Sequence, residues 1–260
     1  MKRGFLCGLL AAATLTLPAQ AARTVPVQVD GELLPAVSHL ESGVTYVPLR
    51  TLLDTMGGWE VSWDSKEARA VAVSDTHRLT ADPAERTITV DGLDYQGKVY
   101  VENGRTYVPL RLVSTLLGGS AVWDPWLGGA AVTSPEADHD AADLYWLSRI
   151  ISAESGGEPM KGQIAVGNVV LNRMEDPNFP NTIPEVIFDR VDAVQFEPVA
   201  NGTVYISPTA QSVEAAKRVL DGETVLSEAL YFYAPALSKG VWINANRTYD
   251  TTIGCHRFYR

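Results

Sequence analysis

Cysteine is nearly absent from this 260-residue chain, which has only Cys7 and Cys255. That excludes a disulfide-stapled scaffold. Histidine is also scarce, with four residues, too few for a zinc-finger module. Positive charge is in deficit: 21 Lys and Arg stand against 31 Asp and Glu, a net charge of −10. A protein that holds nucleic acid by bulk charge shows the opposite balance. The apolar run near the start, Phe5–Leu17, is shorter than the roughly 20 residues a membrane-spanning helix needs. What remains is ordinary globular composition, 46% hydrophobic and 20% charged, with enough apolar material for a core in each half. At roughly 150 residues per domain, the length suggests one or two domains.

Lys2 and Arg3, the apolar run, Pro18 and then Ala19-Gln20-Ala21 predict a secretory signal peptide over residues 1–21, cleaved near Ala21. The alternative, an uncleaved helical anchor, is disfavoured by length and flanks. Cleavage removes Lys2, Arg3 and Cys7, taking the net charge from −10 to −12 and leaving one thiol, Cys255. The mature chain is then secreted and free of the membrane. Cys255 adjoins His256, but neighbours on a strand point apart, so Cys255 reads as a semi-buried small residue rather than a nucleophile.

Residues 22–135 contain an internal repeat. Tyr46-Val47-Pro48-Leu49-Arg50 recurs as Tyr107-Val108-Pro109-Leu110-Arg111. At the same spacing Asp30-Gly31 matches Asp91-Gly92, Gly43 matches Gly104, and Gly57-Gly58 matches Gly118-Gly119. After the loss of one residue, Trp63-Asp64 matches Trp123-Asp124. Two such copies predict two similar supersecondary units packed together. Each reads as a hairpin, a short helix opened by Pro48 or Pro109, and two further strands. The expected helices are Leu49–Met56 and Leu110–Leu117.

These residues resemble the N-terminal stalk domain of some copper amine oxidases, a module also found in secreted proteins of Gram-positive spore formers. The resemblance implies an adhesive or spacer module whose partner is unidentified. It carries no copper chemistry here: only His39 and His77 lie in the region, and copper or zinc sites usually take three or more N/S ligands. No metal or cofactor is expected. Arg50 and Arg111 either bind a carboxylate or, on the favoured reading, brace their own repeats. Residues 136–140, within the polar stretch Ser134–Asp140, read as a linker.

From Asp140 the character changes. Asp140 is the expected N-cap of a helix running to about Ser155. Leu144, Leu147 and Ile151 make its apolar stripe, and Glu154 continues that stripe just before Gly156-Gly157. The carbonyl end of the helix and partial burial both disfavour an ionised carboxylate, which suits a general acid. The competing reading is a frayed helix end. Glu158 has the opposite setting, just before Pro159 at the start of the next helix. That helix, Lys161–Met174, is apolar nearly all round and therefore buried. On it Asn168 and Asn172 are read as bracing the fold, and Arg173 as a helix-end cation. A Pro-rich loop follows, with Gln195 and Phe196 suited to sugar rings. Next come a helix over Thr209–Leu220 and a strand at Leu230-Tyr231-Phe232-Tyr233. Trp242, His256 and Phe258 are placed in final strands or turns.

Arg149–Pro159, Gly162–Val166, Val169–Arg173, Phe179–Ile183, Gln195-Phe196, Val199–Gly202, Ala229–Tyr233, Gly254 and His256 together resemble the SleB-type cell-wall hydrolases. The likeness covers nearly all of residues 141–260. It implies a lysozyme-like, mainly helical domain with a small β lobe, behind the pair of ββα-β stalk repeats in an α+β chain. It also implies cleavage of peptidoglycan glycan strands in the cell wall or spore envelope. The family's catalytic glutamate maps onto Glu154. Substrate contacts are expected from Gln195, Phe196, Tyr231, Tyr233 and Trp242. Glu158 and Glu197 lead the second-carboxylate candidates, with Asp189 and Asp192 behind them. Glu197 stands where family members often carry Ser. One glutamate suffices for lytic cleavage, because the muramic 6-hydroxyl itself attacks the anomeric carbon. A hydrolytic muramidase and a non-catalytic wall-binding protein remain the alternatives.

Overall fold

The repeated sequence folds into two interlocked copies. In the computed structural model, which describes residues 22–191 and 193–260, the first copy comprises β1 (Arg23–Val25), β2 (Val27–Val29), β3 (Glu32–Leu33), β4 (Ser38–Glu41), β5 (Val44–Pro48), α1 (Leu49–Met56), β6 (Glu60–Asp64) and β7 (Arg69–Val73). After β8 (Arg78–Asp82), the second runs through β9 (Thr87–Val90), β10 (Leu93–Gln96), β11 (Tyr100–Glu102), β12 (Arg105–Pro109), α2 (Leu110–Leu116), β13 (Ser120–Asp124) and β14 (Gly129–Thr133). The signal-peptide reading, with Cys7, and Asp192 lie outside the described residues.

The copies do more than pack side by side, because every sheet contains strands of both. The orders are β1-β4-β5-β12-β11, β10-β9-β8-β7-β6 and β13-β14-β2-β3. Strands this short expose their edges, and each copy's edge is covered by the other. In the first sheet β5 and β12 run antiparallel with Val47 opposite Val108, its own repeat counterpart. A local two-fold axis therefore relates the copies. Each helix packs on the other copy's strand, α1 on β12 and α2 on β5. The tight β2–β3 and β9–β10 turns use Asp30-Gly31 and Asp91-Gly92, with φ of 50° and 90°, and 50° and 84°. Positive φ at both central positions gives the turn whose twist suits a two-residue hairpin, and Asp-Gly supplies it.

The rest of the chain is mainly helical: α3 (Ala141–Ser155), α4 (Met160–Glu175), α5 (Ile183–Phe188), α6 (Glu197–Asn201), α7 (Ala210–Leu220), β15 (Tyr231–Tyr233), α8 (Val241–Asn246), β16 (Tyr249–Ile253) and β17 (His256–Tyr259). The last three strands form a small antiparallel sheet, β15-β17-β16. Asp140 caps α3 as expected, accepting from the N–H groups of Ala142 and Asp143. Trp146, Leu147, Ile150 and Ile151 of α3 meet Ile164, Val166, Val169 and Val170 of α4 in the core.

Three short helices fall where the sequence suggested loops, strands or turns. α5 and α6 each carry proline in the first turn, Pro184 and Pro198, where its missing N–H costs nothing. In the sequence those prolines read as loop markers, because a helix-opening proline and a loop proline carry the same local signal. Trp242 lies on α8, a single short helix entered through Gly240, rather than on a strand or simple turn.

The two regions are tied together. Asp30 accepts from the backbone N–H and the hydroxyl of Ser134, at 2.8 and 2.6 Å, and the Ala141 N–H donates to Thr133 Oγ1 at 3.1 Å. The turn after β13 does more. Asp124 Oδ1 accepts from the N–H groups of Trp126 and Leu127, while Oδ2 accepts from Trp146 Nε1 at 2.7 Å. Trp126 stacks on Phe188, and Leu127 joins the same core. The equivalent turn in the first copy has Asp64 bonded to the N–H groups of Lys66 and Glu67, in solvent. The second copy has thus placed Trp and Leu where the first has Lys and Glu. Asp124→Ala is expected to cost about 2–3 kcal/mol in urea unfolding, because it leaves the buried Trp146 N–H unpaired. Asp64→Ala is expected to cost under about 0.5 kcal/mol. Equal losses would contradict this docking.

Candidate active site

Glu154 ends α3. The stripe that carries Leu144, Leu147 and Ile151 into the core continues to it, so its carboxyl is largely withdrawn from water. Burial raises its pKa from an ordinary 4.5 to about 7, and the nearby Glu197 charge pushes the same way. Arg173 opposes both. The direction is the one read from the sequence. The main causes are burial and Glu197, rather than the carbonyl end of the helix.

Arg173 corrects a simpler expectation. It lies in the last turn of α4, yet it is buried with 4% exposure rather than capping a helix at the surface. Its Nε donates to the Leu230 carbonyl at 2.7 Å. Its guanidinium sits 5.0 Å from the Phe196 ring, 5.1 Å from Phe179 and 5.6 Å from Tyr231. Desolvation lowers its pKa to about 10, against the pull of Tyr231, Asp189 and Glu154. One of its nitrogens, Nη1, is buried with no protein partner among the described residues.

From Tyr231 the site climbs to a rim. The Tyr231 hydroxyl accepts from Arg247 Nη2 at 2.8 Å, and that guanidinium lies 4.4 Å from the Tyr231 ring and 5.0 Å from the Trp242 ring. Trp242 is 55% exposed, an accessible aromatic ring beside the Arg247 cation. Neither Arg173 nor Arg247 was singled out from the sequence as a site residue. Arg173 did carry a signal: like Glu154, it is a charged residue continuing a buried helix stripe.

The other expected residues divide. Gln195 is half-buried on the loop leading to Glu197, which is exposed at the start of α6. Phe196 is buried at 2% exposure and Tyr233 at 9%, so neither offers a face to substrate. Phe196 backs Arg173, and Tyr233 stacks on Tyr259 and bonds Asn244 inside the β lobe. Aromatic type alone did not distinguish a platform from a core ring. Asn168 and Asn172 brace the fold as expected, holding the backbone at Glu223, Val225, Leu226 and Ala229.

Glu158 is a latch. Its Oε2 accepts from the Cys255 N–H at 3.0 Å, and its carbonyl accepts from Gln163 and Gln211. Gly254 lies directly under that carboxylate with φ of 57°; a Cβ there would come within 1.6 Å of Oε2. Only glycine permits this approach. Glu158 also raises the Cys255 thiol pKa, while burial lowers that of His256. Cys255 is exposed and His256 buried, so the adjacent pair is not set up as nucleophile and base.

Comparison with known proteins bears on both halves. The family described as Cell Wall Hydrolase matches residues 157–259, beginning just past Glu154, and the Copper amine oxidase N-terminal domain matches residues 28–127. The spore cortex-lytic enzyme of Bacillus subtilis (strain 168) is 35% identical over 116 residues, covering 45% of this chain and 37% of that enzyme. The cell wall hydrolase CwlJ of Oceanobacillus iheyensis is 30% identical over 103 residues, covering 37% of this chain and 72% of that protein. Among solved structures, the catalytic domain of the germination-specific lytic transglycosylase SleB from Bacillus anthracis is 33% identical. It covers 47% of this chain and 98% of that domain, with a TM-score of 0.41. The chain thus spans well under half the length of the B. subtilis enzyme.

Proposed function

The chain belongs to the cell wall hydrolase family, and we propose that it cleaves the glycan strands of peptidoglycan, between N-acetylmuramic acid and N-acetylglucosamine, with Glu154 as general acid. The observation that carries the assignment is a largely buried carboxyl at the end of α3, its pKa raised to about 7 and acted on by the buried Arg173, whose guanidinium meets the Tyr231 ring that Arg247 links to the exposed Trp242. At neutral pH such a group is protonated for much of the time and can give its proton to the glycosidic oxygen. The C1–O bond then breaks, and positive charge develops at C1 and the ring oxygen of the muramic residue. Glu154, now ionised next to Arg173, takes the proton of the muramic 6-hydroxyl as that oxygen bonds to C1. The products are a 1,6-anhydromuramic end and a free hydroxyl on the leaving sugar. The proton is returned, so the cycle needs no second carboxylate. Tyr231, Trp242 and Arg247 hold the strand at the rim.

Glu197 favours a second reading. Its charge is felt at Glu154, so it could instead activate a water, giving hydrolysis. The products separate the two. Purified peptidoglycan is incubated with the protein, treated with borohydride and analysed by mass spectrometry. Anhydro ends that resist reduction are expected; reducible muramic ends would assign hydrolysis, with Glu197 as second group.

Supporting an extracellular or spore-envelope setting are the predicted signal peptide and the similarity to spore cortex-lytic enzymes. The domain division at residues 22–135, 136–140 and 141–260 fits this reading, with a stalk module followed by a hydrolase domain.

A further inference from the structure

The N-terminal region carries two grooves that the Glu154 site does not use. One lies between α2, β13 and the β4–β5 hairpin and encloses about 780 Å³. The other lies between α1, β6 and the β11–β12 hairpin and encloses about 370 Å³. The local two-fold axis relates them. Every residue lining the smaller groove has its repeat counterpart in the lining of the larger. Each groove is built from the helix of one copy and the hairpin of the other, so both exist only in the interlocked pair.

Their chemistry is unlike the rest of the chain. Trp63 lines one and Trp123 the other, and they are 47% and 40% exposed. Neither lining contains an Asp or a Glu, in a chain of net charge −10. Each contains two exposed arginines, reached by different routes. The smaller groove has Arg50 and Arg105. In the larger, Arg111 matches Arg50, but Val44 stands at the position matching Arg105. There Arg23 supplies the second cation, 5.7 Å from the centre of the Trp123 ring. The Arg111 side chain also braces its own repeat, through Nε to the Ala121 carbonyl at 3.2 Å.

We propose that the two grooves bind anionic glycan strands of peptidoglycan, one segment in each. The flat face of a hexosamine covers the tryptophan, and carboxylates of the peptide stems borne by the muramic residues meet the arginine pair. The pairing of an apolar face with fixed cations fits a sugar polymer that carries acids at intervals. The two-fold relation presents the grooves to separate segments, so the module grips the wall bivalently. It would hold the helical domain against its substrate where net charge alone repels an anionic wall. This inference rests on reading the chain as directed to peptidoglycan, but not on its turning substrate over.

The test uses the full chain carrying Glu154→Gln, which binds without cleaving. Its co-sedimentation with insoluble peptidoglycan is compared with that of chains also carrying Trp63→Ala, Trp123→Ala or both. Single changes are expected to weaken binding about threefold and the pair more than about tenfold, as lost bivalency requires. Trp63→Phe and Trp123→Phe should restore most of it. Poly-glutamate at equal charge should compete poorly. Undiminished binding in the double variant, with a normal circular dichroism spectrum, overturns the proposal. So does competition by poly-glutamate as strong as by soluble glycan, which would assign an acidic peptide instead. If the unmutated chain releases no muropeptides yet sediments in a tryptophan-dependent way, the catalytic reading fails and this one stands. If muropeptides appear but sedimentation ignores both tryptophans, only this one fails.

Discussion

Glu154→Gln is expected to lower the release of muropeptides about 10³-fold and, at alkaline pH, to make the protein more stable. The first effect follows from the role. Proton transfer by a positioned side chain contributes typically about 10²- to 10⁴-fold, and here one carboxyl acts twice in each cycle. Gln keeps the size and the α3 terminus but carries no transferable proton. The second effect follows from the environment. Burial and Glu197 raise the pKa of the folded protein's Glu154 from 4.5 to about 7. Between those values the folded chain holds a proton that the unfolded chain has released, so stability falls as pH rises through that window. Above pH 7 the native protein carries the full cost, about 3–4 kcal/mol. Gln removes it. Unfolding midpoints of the two proteins should therefore coincide near pH 4 and separate by pH 8, with the variant higher. An inactive variant whose midpoint exceeds that of the unmutated protein by no more at pH 8 than at pH 4 would show that Glu154 is not strained by burial.

Arg173→Met is expected to destabilise the helical domain by about 2–4 kcal/mol and to disturb the chemistry in a definite direction. Methionine fills the space between the Phe196, Phe179 and Tyr231 rings, so the loss reports the charge and its bond rather than a cavity. The Leu230 carbonyl loses its partner, and Glu154 loses the cation that opposes its raised pKa. The pH above which activity falls should then move upward, while the maximal rate falls because the carboxylate formed on proton donation has no counter-charge. Arg173→Lys should not restore stability, since an ammonium cannot reproduce both the Nε–H bond and the stacking of a planar guanidinium. Urea unfolding and a pH–rate profile on the same variants read the two effects separately.

Much of this was legible in the sequence, for identifiable reasons. Leu49–Met56 and Ala141–Ser155 carry their start and stop signals within the segment, and both helices were placed from Pro48, Asp140 and the following glycines. The strand pairings were not legible. The repeat gives two equivalent lists of elements, but β2 joins β14 and β7 leads through β8 to β9, and no local pattern distinguishes that exchange from two closed units. Glu154 stood out because a carboxylate on an apolar stripe is an exception that needs a reason. Arg173 breaks the same rule, but its position in the last turn of α4 also fits a helix-end cation, so the sequence pattern does not single it out. Phe196 and Tyr233 failed in the opposite sense: aromatic residues on a loop and a short strand fit a sugar platform, yet burial uses both in packing. Trp242 and Tyr231 escape that fate because α8 holds Trp242 outward and Arg247 bridges the two rings.

The measurement that bears most directly on Glu154 as the general acid is the pH dependence of kcat/KM on soluble glycan fragments, for the unmutated protein and for Glu197→Gln. The unmutated protein should lose activity as pH rises through about 7, the range in which Glu154 gives up its proton. Removing the Glu197 charge should move that limb to lower pH, by roughly half a unit to one unit. A profile flat from pH 5 to pH 9, or a limb that stays in place without Glu197, would contradict the assignment of Glu154 as the acid.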